Sequence, residues 1–161
     1  MNKYNLKRVR FYNLFDIKSI SDILYACGKD MAEKYNIHHW DNGYLKTFLI
    51  AIYSSLKGCT YILSNDNNAA IATFQVSLSN DRLHFGKLAT HPQYAGKGIG
   101  TYCINRIEKI ASAKNCKEVY MEVYDKSQHA IDFYKHKGYE VCGETKTIKY
   151  TEIKMRKIIN R

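Results

Sequence analysis

The sequence predicts an α/β protein, an α+β mixed sheet with helices on its faces, in the order β-α-α-β-β-β-α-β-α-β-β. Three observations predict it. From Cys59 to Thr90 the chain is rich in β-branched and aromatic residues, broken twice by clusters of turn-forming residues. On either side, apolar residues recur at helical spacing. A loop with alternating Gly96, Gly98 and Gly100 follows the last strand of that block, where another helix opens.

Each element has its own signal. Leu6 to Phe11 alternates and reads as a first strand. Ile17 to Tyr35 reads as a helix through Ile17, Ile20, Leu24 and Met31, with Gly28 expected to weaken or split it. Asp41-Asn42-Gly43 is a turn. Tyr44, Leu45, Phe48, Leu49, Ile52, Tyr53 and Leu56 then give an amphipathic helix that stops at Gly58. Cys59 to Leu63, Ala70 to Leu78 and Leu83 to Thr90 form an antiparallel meander, with turns at Asn65-Asp66-Asn67-Asn68 and Ser79-Asn80-Asp81-Arg82. The helix after the loop places Ile99, Cys103, Ile107, Ile110 and Ala111 on one face. Glu118 to Tyr124 is a strand, Ser127 to Lys137 a helix ended by Gly138, and Tyr139 to Cys142 and Ile148 to Met155 are closing strands.

A chain of 161 residues, 45% of them apolar, points to a single domain over residues 1–161 with one real core. No run approaches the roughly 18 apolar residues of a membrane span, so no membrane partner is expected. The start, Met1-Asn2-Lys3-Tyr4-Asn5-Leu6-Lys7, lacks the apolar core of a secretory signal. The five cysteines are odd in number and form no C-x-x-C pair, which points to reduced thiols in the cytoplasm. The formal charge of +10 invites a nucleic-acid reading. Most of it lies in residues 81–161 with the glycine loop, and the lysines are dispersed. An anionic cofactor and a solvated basic surface explain the bias better than nucleic acid does.

The loop itself carries chemistry. A helix N-terminus offers unpaired backbone N–H groups and partial positive charge, and side-chain-free positions let those amides close on a phosphate. A dinucleotide fingerprint fails, because the third glycine would fall at Thr101 and the loop follows a meander. A Walker A loop fails as well, because Gly96-Lys97 is followed by Gly98.

Two further stretches identify what remains. Ala95-Gly96-Lys97-Gly98-Ile99-Gly100 resembles the pyrophosphate loop Q/R-x-x-G-x-G/A of the GNAT superfamily of acetyl-CoA-dependent N-acetyltransferases. Val123 to Tyr139 resembles that family's strand, its Asn-x-x-Ala helix, and its Tyr-x-x-x-Gly-Phe/Tyr segment, through Ala130, Tyr134, Gly138 and Tyr139. Ala95 stands in place of Gln or Arg, and Ser127 in place of Asn.

The resemblance implies the GNAT acyl-CoA N-acyltransferase fold and acetyl-CoA as cosubstrate. It implies cofactor contacts from Leu88, Ala89 and Thr90 on the strand, from Ala95, Gly96, Lys97, Gly98, Ile99, Gly100 and Thr101 in the loop, and from Ser127, Ala130, Phe133 and Tyr134. The backbone of Leu88 and Thr90 would pair with the pantetheine arm. Tyr134 matches the family's tyrosine near the thiol. A phenol with pKa about 10 can supply a proton or a hydrogen bond to a departing thiolate of pKa about 8.5 without being ionised at neutral pH. The same ring also suits simple packing beside Phe133.

Three bases remain open: His84, since an ordinary imidazole pKa of about 6.5 suits a base at neutral pH, Glu122 on the adjacent strand, or a water chain. For the acceptor amine, Glu33, His39 and Trp40 between the first two strands, with Glu122 and Tyr124, form the expected pocket. Glu33 or Asp41 would hold the amine's charge. Trp40 serves equally well as a core anchor. His38-His39 lacks a third ligand at usable spacing, so no metal is expected. The expected activity is acetyl transfer to a primary amine, of a small molecule, by direct attack in a ternary complex. A non-catalytic acyl-CoA-binding module and a tRNA-directed acetyltransferase are the alternatives. A homodimer is compatible with the sequence.

Overall fold

The structure, a computed structural model, describes residues 4–159. Met1, Asn2 and Lys3, part of the stretch read as lacking a secretory signal, lie outside the described residues. The elements are β1 (Tyr4–Arg8), α1 (Leu14–Tyr35), α2 (Tyr44–Lys57), β2 (Cys59–Asn65), β3 (Ala70–Ser79), β4 (Arg82–Thr90), α3 (Ile99–Ala113), β5 (Glu118–Tyr124), α4 (Gln128–His136), β6 (Glu140–Lys146) and β7 (Thr151–Ile158). This is the expected order, with one added 3-10 turn at Pro92–Tyr94. Hydrogen bonding joins the strands in the order β1-β2-β3-β4-β5-β7-β6. The sheet is mixed: β4 and β5 are parallel, whereas β1/β2, β2/β3, β5/β7 and β6/β7 are antiparallel. The chain divides into two compact units, residues 1–77 with 87–103, and residues 78–86 with 104–161.

In the first unit, α1 begins at Leu14, three residues before the expected start. Asn13 caps it, its side chain accepting from the Asp16 amide at 3.2 Å. Ile17, Ile20, Ile23 and Leu24 then bury against Val9, Ala51, Ile62 and Ala89. Gly28 does not split the helix. A Cβ there would strike the Trp40 carbonyl, so the glycine lets the returning loop lie against α1. The first strand is shorter than expected, ending at Arg8, and Phe11 lies exposed beyond it.

Helix α2 overturns the expectation for its apolar face. Thr47, Ala51 and Ser54 are its buried residues. Their small side chains recur at i, i+4 and i+7, and the Gln75 amide bonds the Ser54 carbonyl at 2.6 Å. Only Phe48 and Ile52 of the expected apolar set pack on the core. Leu45, Leu49, Tyr53 and Leu56 face outward, with Leu45 72% exposed. Periodicity located the helix but not the face that packs.

In the second unit, β5 alternates cleanly. Val119, Met121 and Val123 are buried, whereas Glu118, Tyr120, Glu122 and Tyr124 take the other face. Helix α3 buries Ile104 where Ile110 was expected; Ile110 is half-buried. Helix α4 starts after Ser127, and Gly138 follows its end at φ +84°. The closing strands fall later than expected. Ile148 is fully exposed in the turn between β6 and β7, where the Thr147 amide bonds the Tyr150 carbonyl at 2.9 Å.

Candidate functional site

The glycine loop belongs to the first unit. After β4, the His91 amide bonds the Ile71 carbonyl at 2.8 Å, and a single 3-10 turn leads to Ala95. Gly96 and Gly98 take φ values of +73° and +77°, with Lys97 between them outside that region. This alternation is the backbone form that turns successive N–H groups toward one point. The first helical bond of α3 runs from the Tyr102 amide to the Gly98 carbonyl at 3.0 Å. The amides of Ile99, Gly100 and Thr101 lie ahead of it and have no helical acceptor. No acidic residue occupies the first turn of α3, and a Cβ at Gly96 or Gly98 would meet nothing within 4 Å. The loop therefore fits a phosphate chemically and sterically. Lys97 lies 5.3 Å over the Tyr94 ring.

The strand segment before the loop is mixed in character. Ala89 is buried in the first unit's core, and Leu88 and Thr90 are half-buried. The Thr90 carbonyl accepts from the Cys27 thiol at 3.0 Å, an engagement the sequence did not reveal. Burial pushes the Cys27 thiol up to about 12, so it stays protonated at neutral pH.

The proposed bases meet in the second unit. Parallel pairing of β4 and β5 places His84 beside Tyr120. His84 Nε2 then lies 2.6 Å from Glu122 Oε2, so the two rival bases form one hydrogen-bonded pair. Both side chains are about two-thirds to three-quarters covered, at 32% and 25% exposure. The His84 bond, outweighing partial burial, holds the Glu122 carboxyl below the usual carboxylate range; Lys154 adds to the effect. An ionised Glu122 fixes the proton on Nε2 and leaves the Nδ1 lone pair to accept another. The Tyr120 ring packs 5.0 Å from the imidazole. A Cβ at Gly86 would come 3.6 Å from His84 Cε1, so the ring edge is bordered by a residue with no side chain.

Tyr134 is buried, 8% exposed, on α4. Its ring packs with Phe133 at 5.2 Å, Phe85 at 5.9 Å and Tyr139 at 6.0 Å. Ser127 is buried at the start of α4 without a side-chain cap bond, and its carbonyl accepts from the Ala130 and Ile131 amides. Ala130 and Phe133 are half-buried on the same helix. Tyr124 ends β5 edge-on to Tyr150 at 5.8 Å.

The expected acceptor residues of the first unit are less concerted. Glu33 is exposed near the end of α1. Trp40 packs on the core, the anchor role. Its ring lies 5.8 Å from half-buried His39, whose imidazole burial pushes below its ordinary range. Asp41 is engaged by Lys29 at 2.7 Å and by His38 at 3.3 Å. Among the described residues no group of three or more potential ligands could hold a metal, and no helix is long and apolar enough to cross a membrane.

Comparison with known proteins gives a consistent result. The model of the Acetyltransferase (GNAT) family matches residues 19–139. The PaiA N-acetyltransferase from Thermoplasma acidophilum, solved with coenzyme A, superposes with a TM-score of 0.76 at 15% identity, over 96% of this chain and 98% of that one. The ribosomal-protein-S18-alanine N-acetyltransferase from Escherichia coli gives 0.73 at 14% identity, over 98% and 95%. Nourseothricin acetyltransferase gives 0.58 at 20% identity, over 64% of this chain and 66% of that one.

Proposed function

We propose, for a chain that belongs to the Acetyltransferase (GNAT) family, that His84 and Glu122 act as a single proton-accepting pair in acetyl transfer to the primary amine of a small molecule. The observation that carries this reading is the 2.6 Å bond between His84 Nε2 and Glu122 Oε2. Family membership makes acetyl-CoA the cosubstrate. When bound, it supplies the acyl carbon, whose bond to sulfur breaks as the bond to the amine nitrogen forms.

The chain's own residues handle phosphate and protons. The amides from Gly96 to Thr101 hold the pyrophosphate, with Leu88 and Thr90 offering backbone to the pantetheine arm. His84 Nδ1 takes the proton that the amine must lose. Glu122 then faces an imidazolium and compensates its charge, as a carboxylate does for a catalytic histidine elsewhere. The Tyr134 hydroxyl donates a proton to the departing sulfur, its phenolate regains one from solvent, and the imidazolium releases its own to solvent before the next turnover.

Direct attack is supported by the state of the buried thiols. Burial raises Cys27 and Cys103 to about 12 and also raises Cys116, which makes them poor nucleophiles at neutral pH. The test is an amine panel with acetyl-CoA, following free thiol, for the parent and His84→Ala. We expect a turnover loss of about 10²- to 10⁴-fold at neutral pH with CoA affinity retained. An unaltered rate from pH 6 to pH 9 removes His84, and with it the pair, from the mechanism and leaves Glu122 alone or water as the base.

A further inference from the structure

The sheet face that carries His84 and Glu122 also carries Arg82, Glu118, Glu140, Glu152, Lys154 and Arg156, and four of these, Arg82, Glu118, Glu140 and Arg156, are spent on one another. Arg82 is hydrogen-bonded to Glu118 and lies 4.4 Å over the Tyr120 ring. Arg156 is paired with Glu140 at 3.1 Å and with Glu118 at 3.8 Å. Lys154 is different. It stands directly across from Glu122 in the β5–β7 register, so the two side chains share a face. It is half-buried, and among the described residues no carboxylate lies within ion-pair distance of its ammonium. Its neighbour on the other side, in the β6–β7 register, is Gly143. A Cβ there would sit 3.9 Å from Lys154 Cδ, so no side chain from β6 covers the lysine stem.

Lys154 lies in the field of Glu122 without a direct ion pair to it, so its N–H donors stay open to an incoming anion. We propose that Lys154 binds an anionic group of the acceptor, so that the site selects an amine with a carboxylate close by, the α-amino-acid type. This rests on the reading of His84 and Glu122 as the proton-accepting pair. The zwitterion matches the face: its ammonium goes to the Glu122–His84 side and its carboxylate to Lys154. A neutral amine satisfies only half of that arrangement, and a polyamine would place a second cation beside the lysine.

The test is kcat/KM with acetyl-CoA for a set of free α-amino acids and their matched C-terminal amides, measured on the parent, Lys154→Met and Lys154→Arg. We expect the parent to favour the acids by about tenfold or more, the scale of one charge-assisted hydrogen bond. In Lys154→Met the acid-to-amide ratio should collapse toward one, with the change carried in KM, and Lys154→Arg should restore it. A purely structural role for Lys154 would lower both substrates together and leave the ratio unmoved, which overturns the proposal. A parent that acetylates amides well and acids poorly overturns it too, while leaving the proton-accepting pair intact. A parent that acetylates no amine refutes the pair, and the proposal with it.

Discussion

Gly98 offers a test of the loop in which strain and space are separated. Its φ of +77° is a conformation that side-chain-bearing residues adopt at a cost of about 1–2 kcal/mol. No atom lies within 4 Å of where a Cβ would stand, so a methyl group meets no steric obstacle. Gly98→Ala therefore carries only the conformational cost. For a chain of this size about 1 kcal/mol lowers Tm by about 2–4 °C. Asn tolerates the left-handed region better than Ala, and a β-branched residue tolerates it worst. CoA affinity should then fall in the order Gly98, Asn, Ala, Val, as the amides leave their inward alignment. Gly98→Glu should abolish binding outright, because it places a carboxylate in the anion site. The assay is CoA titration by calorimetry, with thermal melts of the free variants to record the strain. If Gly98→Val binds CoA as tightly as the parent, the alternating backbone is not what holds the phosphates.

Three further outcomes are expected. Tyr134→Phe keeps the ring cluster with Phe85, Phe133 and Tyr139, so CoA affinity should hold while turnover falls by about 10²-fold; near-parental turnover would make Tyr134 a packing residue. Gly28→Ala should destabilise by about 1–3 kcal/mol through its collision with the Trp40 carbonyl; if the roughly 1 kcal/mol gain in helix propensity wins instead, the melting temperature will rise and that close approach is wrong. Glu122 has a lowered pKa in the fold, so its contribution to stability is complete above the ordinary glutamate value of about 4.3 and is lost as pH falls through the lowered one. The stability difference between the parent and Glu122→Gln should accordingly shrink on acidification below about pH 4.3, and a difference that stays constant there would contradict the pair's ionised state.

What the sequence revealed follows what is local. The glycine loop, β5 to the residue, and α4 between Ser127 and Gly138 were legible because alternation, capping and left-handed glycine are properties of a few neighbouring residues. Helix α2 was legible as a helix but not in orientation. Its leucines outweigh Thr47, Ala51 and Ser54 in any hydrophobic pattern, yet close backbone approach selected the small side chains. Ile148, expected to open the last strand, lies instead in the hairpin turn between β6 and β7. His84 and Glu122 were each legible as candidate bases. Their pairing was not, because a register between β4 and β5 brings together residues 38 positions apart. Lys154 was missed for the same reason: among many dispersed lysines, only its place across from Glu122 distinguishes it.

The pair itself is tested most directly by a double-mutant cycle in kcat/KM with the best amine, using His84→Ala, Glu122→Gln and the double variant across pH 6 to 9. A hydrogen-bonded pair that works as a unit should be strongly non-additive, so that adding Glu122→Gln to His84→Ala costs little further. In Glu122→Gln alone, the amide nitrogen can donate to Nε2 and reverse the tautomer, so the loss should approach that of His84→Ala. If the two losses instead multiply in the double variant, the residues act independently and the account of one proton-accepting pair is contradicted.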